Sequence, residues 1–205
     1  ANINGQNNWS SFTLFSKSGK SSDTISQGIT LNENKESYKN YFDNSLIYLC
    51  KNDSDGSFGL IINKKISINL KDFSLDSDTE LEDFLNNERV YLGGPVSPFT
   101  PFVLHTLEKK FDDTHEVAPN IGLSSKADVI QTILQKKYPK KFIVSFGYTG
   151  WSPGQLEKEI SQGSWIIIPA NEQIIFSTNS DKKVEEASKL AGFNLDLVSN
   201  NYGKA

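Results

Sequence analysis

The 205 residues contain no methionine, one cysteine and, in Arg89, a single arginine. With only Cys50, the chain cannot form an internal disulfide, and its place in the apolar run LIYLC predicts a small buried hydrophobe. Lysine carries nearly all the positive charge, and with the many asparagines and isoleucines this points to AT-rich codons rather than to a function. The net charge of -4 and pI near 5.3 leave no broad electrostatic footprint for nucleic acid or an anionic membrane. The one basic cluster, Lys136, Lys137, Lys140 and Lys141, reads as the solvated C-terminus of a helix, so nucleic acid is disfavoured as a partner. No apolar run approaches the roughly 18 residues of a membrane helix, which predicts a soluble chain with no membrane partner. Ala1, with methionine absent throughout, predicts a processed or engineered start. There is no P-loop, dinucleotide fingerprint, CxxC pair or HExxH, so no cofactor or metal is expected.

What is present is ample material for one core, with 37% hydrophobic and 11% aromatic residues. Residues 1–27 are rich in Asn, Ser, Gly and Lys and read as a polar N-terminal extension, although Trp9, Phe12, Leu14 and Phe15 could dock it on the body. A single domain is expected over 28–205. Ser45 to Lys51 and Ser57 to Asn63 predict a hairpin buried on both faces. A capping box at Ser77 and Glu80 predicts a short helix carrying Leu81, Phe84 and Leu85. Arg89 to Thr106 predicts two strand-like ends around a loop shaped by Gly93, Gly94, Pro95, Pro98 and Pro101. Residues 107–120 read as a solvated loop; Asp112, Asp113, His115 and Glu116 match no metal-ligand spacing. A helix opened by Ser125 and Asp128, with Ala127, Ile130, Ile133 and Leu134 inward, ends at Pro139.

The stretch Phe142 to Ile160 draws most attention. Phe142, Val144 and Phe146 alternate as a half-buried strand, and Gly147, Gly150 and Gly154 predict a tight turn into a helix. Ser152 is the expected N-cap, with Pro153 in the first helical position and Gln155 completing a capping box. GWSPG resembles the nucleophile elbow of serine hydrolases, but Pro153 has no N–H for an oxyanion hole and both histidines precede Ser152. A cap explains Ser152 better, and a hydrolase is the weakest of the readings. Beyond the helix stop at Gly163, Trp165 to Pro169 and Ile174 to Ser177 predict strands. A last helix from Ser180 or Asp181 buries Val184, Ala187 and Leu190 and stops at Gly192.

DGSFGLIINK, VYLGGPV, FVLHT, GYTGWSPGQLEKEI and SWIIIPA follow in an order and spacing that resembles the AlgH/YqgE family, DUF179 or UPF0301, from Gly28 to about Leu197. The resemblance implies an α+β (mixed α/β) fold, with a bifurcated mixed β-sheet, partly barrel-like and surrounded by helices. It implies no reaction, and the family's label of transcriptional regulator rests on genetic association. The family's apolar opening GxLLIAxP stands here as the polar GITLNENK at Gly28. The expected function is therefore a domain binding an unknown small molecule or protein, the alternative a transcriptional regulator acting through protein contacts. The candidate cleft comprises Asn63, Gly93, Gly94, Pro95, His105, Tyr148, Trp151, Gln155 and Glu159, with no catalytic or metal-binding residue assigned. A bacterial chain of this kind would work in the cytoplasm, a eukaryotic one in a plastid or apicoplast-type organelle.

Overall fold

The computed structural model describes residues 12–16, 41–75, 85, 88–135 and 139–192. The capping box at Ser77 and Glu80, Leu81 and Phe84, the Gly28 segment, and Lys136 and Lys137 lie outside them.

A curled, mostly antiparallel sheet forms a half-barrel. Its strands are β1 (Phe12–Ser16), β2 (Ser45–Asp53), β3 (Gly56–Ile61), β4 (Lys65–Asn69), β5 (Arg89–Leu92), β6 (Val96–Thr106), β7 (His115–Ala118), β8 (Ile121–Ser124), β9 (Phe142–Trp151) and β10 (Ile166–Pro169). The order is β10-β1-β2-β3-β9-β6-β8-β7. On one side of β9, its first half pairs in parallel with β5 at Ser145 and Phe146, and its second half pairs antiparallel with β3 at Thr149 to Trp151. β5 in turn pairs with β4. This fork is the bifurcated, mixed sheet that the family resemblance implied. The helices are α1 (Ala127–Leu134), α2 (Gln155–Ser161) and α3 (Lys183–Leu190).

Among the described residues, three apolar cores follow from strand alternation. Tyr48, Cys50, Leu60, Phe102 and Leu104 fill the concave face of the half-barrel. On the other face, Val103 and Val144 pack under α1, and Ile47, Leu49 and Ile61 pack under α2 with Trp151 and Trp165. The hairpin of β2 and β3 is apolar on both faces because it divides two of these cores. The same holds for β9, which is buried on both faces rather than half-buried.

Several local expectations are overruled by tertiary context. Phe12–Ser16, in the stretch read as a polar extension, is an interior strand pairing with both β2 and β10; Leu14 and Phe15 are buried. The loop expected between Gly93 and Pro101 is short, because β6 starts at Val96 and carries Pro98 in a bulge off the ladder. Val96 pairs with Tyr148 and Pro101 with Phe146, so the residues between them bulge outward. Part of the 107–120 loop is β7. Ser125 does not cap α1, which begins after Lys126 without a side-chain cap; Asp113 Oδ2 instead accepts the Ser125 and Lys126 N–H groups just before it, at 2.7 and 2.9 Å. Ala127 is exposed and Val129 takes the inward position. Ile174 to Ser177 lies in a π-helical turn (Gln173–Ser177), and Leu190 is 49% exposed.

Candidate functional site

Gly147 lets β9 change which way its side chains face. Ile143 lies in the barrel interior and Val144 and Phe146 under α1, so unbroken alternation would send Tyr148 under α1 as well. Gly147, at φ 73°, inserts one residue of left-handed backbone, and Tyr148 emerges on the interior side instead. The strand then continues to Trp151, where a turn had been expected after Phe146. The crossing is close. A Cβ on Gly147 would meet Gly94 O at 2.3 Å, and one on Gly94 would meet Tyr148 C at 2.0 Å. Gly93 N–H donates to Phe146 O, and Gly93 O accepts from Ile61 N–H at 2.9 Å. Gly93 and Gly94 thus serve backbone packing.

Tyr148 arrives on an aromatic floor. Its ring stacks on Phe58 with centroids 4.7 Å apart, and Phe102 meets Phe58 and Tyr148 edge-on at 5.4 and 5.7 Å. Above this floor opens a cleft of about 1210 Å³. Cys50 and Lys51 of β2 form part of one lip and His115, Glu116 and Val117 of β7 part of another, while the far end runs past Gly150 to Gln155, Glu159 and Gln162.

That far end is a hydrogen-bonded cluster. Ser152, Pro153, Gly154 and Gln155 make a type II turn, with Gly154 at φ 74° and ψ -5° and Gln155 N–H donating to Ser152 O at 3.0 Å. Pro153 therefore precedes α2 rather than opening it. The Gln155 side chain closes the turn, accepting Ser152 N–H at 2.9 Å, and donates to Glu159 Oε1 at 3.0 Å. Glu159 Oε2 accepts the indole N–H groups of Trp151 at 2.9 Å and Trp165 at 2.8 Å. Gly163 brings Trp165 there through a Schellman ending: Gly163 N–H donates to Ile160 O and Ser164 N–H to Glu159 O. Glu159 is 5% and Trp151 4% exposed. The cluster staples α2 to β9 and presents a fixed polar wall to the cleft.

Tyr148, Trp151, Gln155 and Glu159 thus border one cleft, whereas Asn63, Gly93, Gly94, Pro95 and His105 lie off it. Asn63 Oδ1 accepts Leu46 N–H and its Nδ2 donates to Asn44 O, both at 2.8 Å, bracing Asn44 at φ 56°. His105 shares the Val103 side of β6, away from the cleft floor. Its Nδ1–H donates to Thr106 O at 3.0 Å, which leaves Nε2 to accept from Ser124 Oγ at 3.1 Å. Thr114 Oγ1 lies 3.0 Å from Ser124 Oγ and accepts Phe111 N–H. Burial pulls the His105 pKa below its ordinary value, so it is a neutral ring in a satisfied network. Ser152 is exposed on the turn, followed by the N–H-less Pro153.

Phe58, Phe102 and the β7 lip were not anticipated. Alternation puts Phe58 with Leu60 and Ile62, but whether that face is sealed or open depends on how far the sheet curls.

Together these features define a half-barrel α+β domain with an open, aromatic-floored cleft. The chain belongs to the AlgH-like family DUF179, whose match spans residues 22–196. A UPF0301 protein of Shewanella oneidensis is 36% identical over 169 residues, covering 80% of this chain and 90% of that protein. One from Thiobacillus denitrificans is 36% identical over 164 residues, covering 80% and 89%. The solution structure of the AlgH protein from Pseudomonas aeruginosa matches with a TM-score of 0.69 at 26% identity over 100% of both chains. An X-ray structure of a Corynebacterium diphtheriae protein matches at 0.60 with 15% identity, covering 91% of this chain and 88% of that one, a likeness of fold alone. The family is uncharacterised, so these matches bring kinship and architecture without a reaction. Among the described residues, no helix is long and apolar enough to cross a membrane.

Proposed function

We propose that this protein is a binding domain whose ligand enters the cleft and rests an apolar group on Phe58, Phe102 and Tyr148. The observation that carries this reading is the bulge at Gly147, which turns Tyr148 out of continuous alternation and into an open hollow. Packing alone would not need that reversal. A neighbouring polar wall of Gln155 and Glu159 supplies hydrogen-bonding groups beside the apolar floor, the usual division of a ligand site. The protein acts through this contact, in the cytoplasm of a bacterium or in an organelle of bacterial descent. Nucleic acid fits less well: Lys141, from the basic cluster, pairs with Glu172 at 2.8 Å.

Binding of 1-anilinonaphthalene-8-sulfonate, followed by fluorescence, tests the reading. Tyr148→Ala should weaken binding about tenfold while leaving the melting transition within a few degrees. Equal binding by the variant and the wild type would end it. The reading of a regulator working through protein contacts draws on Phe99, which is 91% exposed at the crest of the β6 bulge. Phe99→Ser should then abolish partner capture without affecting the dye.

A further inference from the structure

We propose that the cleft takes an extended peptide, bound by strand addition to the outer edge of β7 with alternate side chains set on the aromatic floor. This rests on the reading of the cleft as the ligand site and names the ligand's class.

β7 ends the strand order and, among the described residues, pairs on one side only, with β8. His115, Glu116 and Val117 from this edge line the cleft directly. An unpaired edge is a row of backbone donors and acceptors that an extended chain can satisfy. The register passes from Glu116 opposite Gly122 to Ala118 opposite Ile121, so Val117 is skipped by β8. Opposite lie Cys50 and Lys51 of β2, beyond Tyr48, where pairing with β1 stops among the described residues. β2 and β7 approach each other without joining, which leaves a seam in the half-barrel.

Size and chemistry favour the same occupant. A volume of about 1210 Å³ exceeds the roughly 300–1,000 Å³ of ordinary small-molecule pockets. A strand rises about 3.3 Å per residue and sends every second side chain to one face. The floor of Phe58, Phe102 and Tyr148 lies on the concave face, where those side chains would point. At the rim, Lys51 and Lys158 are offset by Asp55 and Glu116, which suits a polypeptide better than a polyanion.

The experiment selects phage-displayed random octapeptides on the full-length protein, with Tyr148→Ala as the counter-selection. The best octapeptide is then compared by calorimetry with two versions N-methylated at alternate amides, and with N-acetylphenylalanine amide as a small probe. The expected result is apolar residues at every second position and a loss of at least about tenfold from methylating one alternate set but not the other. Val117→Pro should weaken the unmethylated octapeptide by a comparable factor. Retention of the small probe without any octapeptide, or octapeptide binding indifferent to N-methylation, overturns strand addition and leaves the cleft reading standing. Failure of both probes to bind removes the two together.

Discussion

Trp151 and Trp165 give their indole N–H groups to the same oxygen of Glu159, at 2.9 and 2.8 Å. One tryptophan ends β9 and the other precedes β10, so a single carboxylate on α2 ties together parts of the chain that meet only in three dimensions. The rings cross edge-on, with centroids 5.7 Å apart.

Glu159→Gln should be costly although nearly isosteric. With its oxygen toward the indoles, the new amide turns its NH₂ toward Gln155 Nε2, setting donor against donor. Hydrogen bonds to a charged group are worth about 1.5–3 kcal/mol, and leaving buried donors unmet adds to that. Urea unfolding monitored by tryptophan fluorescence should show a loss of about 3 kcal/mol. A change under about 0.5 kcal/mol would mean that the staple is ornamental.

Gly147→Ala and Gly163→Ala separate strain from collision. Both glycines have left-handed backbone, at φ 73° and 72°, but a Cβ at Gly163 meets nothing within 4 Å whereas at Gly147 it meets Gly94 O at 2.3 Å. Gly163→Ala should cost about 1–2 kcal/mol, the left-handed penalty alone. Gly147→Ala should cost well over about 3 kcal/mol or prevent folding. Equal costs in chemical denaturation would contradict the close crossing.

Lys183 is fully buried, its Nζ donating to Ile175 O at 2.6 Å and lying 5.1 Å from the Tyr91 ring centre. Burial, with Lys65 adding repulsion against a smaller attraction from Glu88, brings its pKa down from 10.5 to about 7. The unfolded chain holds this proton up to about pH 10.4 and the native one only to about pH 7, so this group makes stability rise with pH across that window. Lys183→Met should therefore stabilise the protein at pH 7, and its advantage should shrink by up to about 1.4 kcal/mol per pH unit toward pH 10. A pH-independent difference in urea midpoints would refute the buried charge cost.

His105 acts in the acid range. Its lowered pKa means that the native state resists protonation, so its contribution is full above the ordinary histidine pKa of about 6.5 and is lost as pH falls below it. The His105 ring proton resonances should titrate with a midpoint below that of a histidine peptide. A higher midpoint would show that the Ser124 and Thr106 contacts favour the cation.

The hairpin of β2 and β3, the stop of α2 at Gly163 and the inward Val184 and Ala187 of α3 follow from neighbouring residues, and all were legible in the sequence. The pairing of Gln155 with Glu159 was legible for the same reason, being one helical turn. The interior strand at Phe12–Ser16 was not, because its polar flanks dominate local composition while its partners stand far along the chain. Nor was the helical turn at Ile174, whose apolar run suits strand and buried turn alike.

By itself, the amino-acid sequence determined the family, the mixed architecture and the polar and apolar faces of most elements, because period and glycine stops act over a few residues. Only the tertiary structure decided where a hollow opens. Reversing Tyr148 requires Gly147 to meet Gly94 across two strands, and the cleft exists because the sheet curls without closing between β2 and β7. Those are properties of chain crossings, set by how distant segments pack rather than by any stretch read alone.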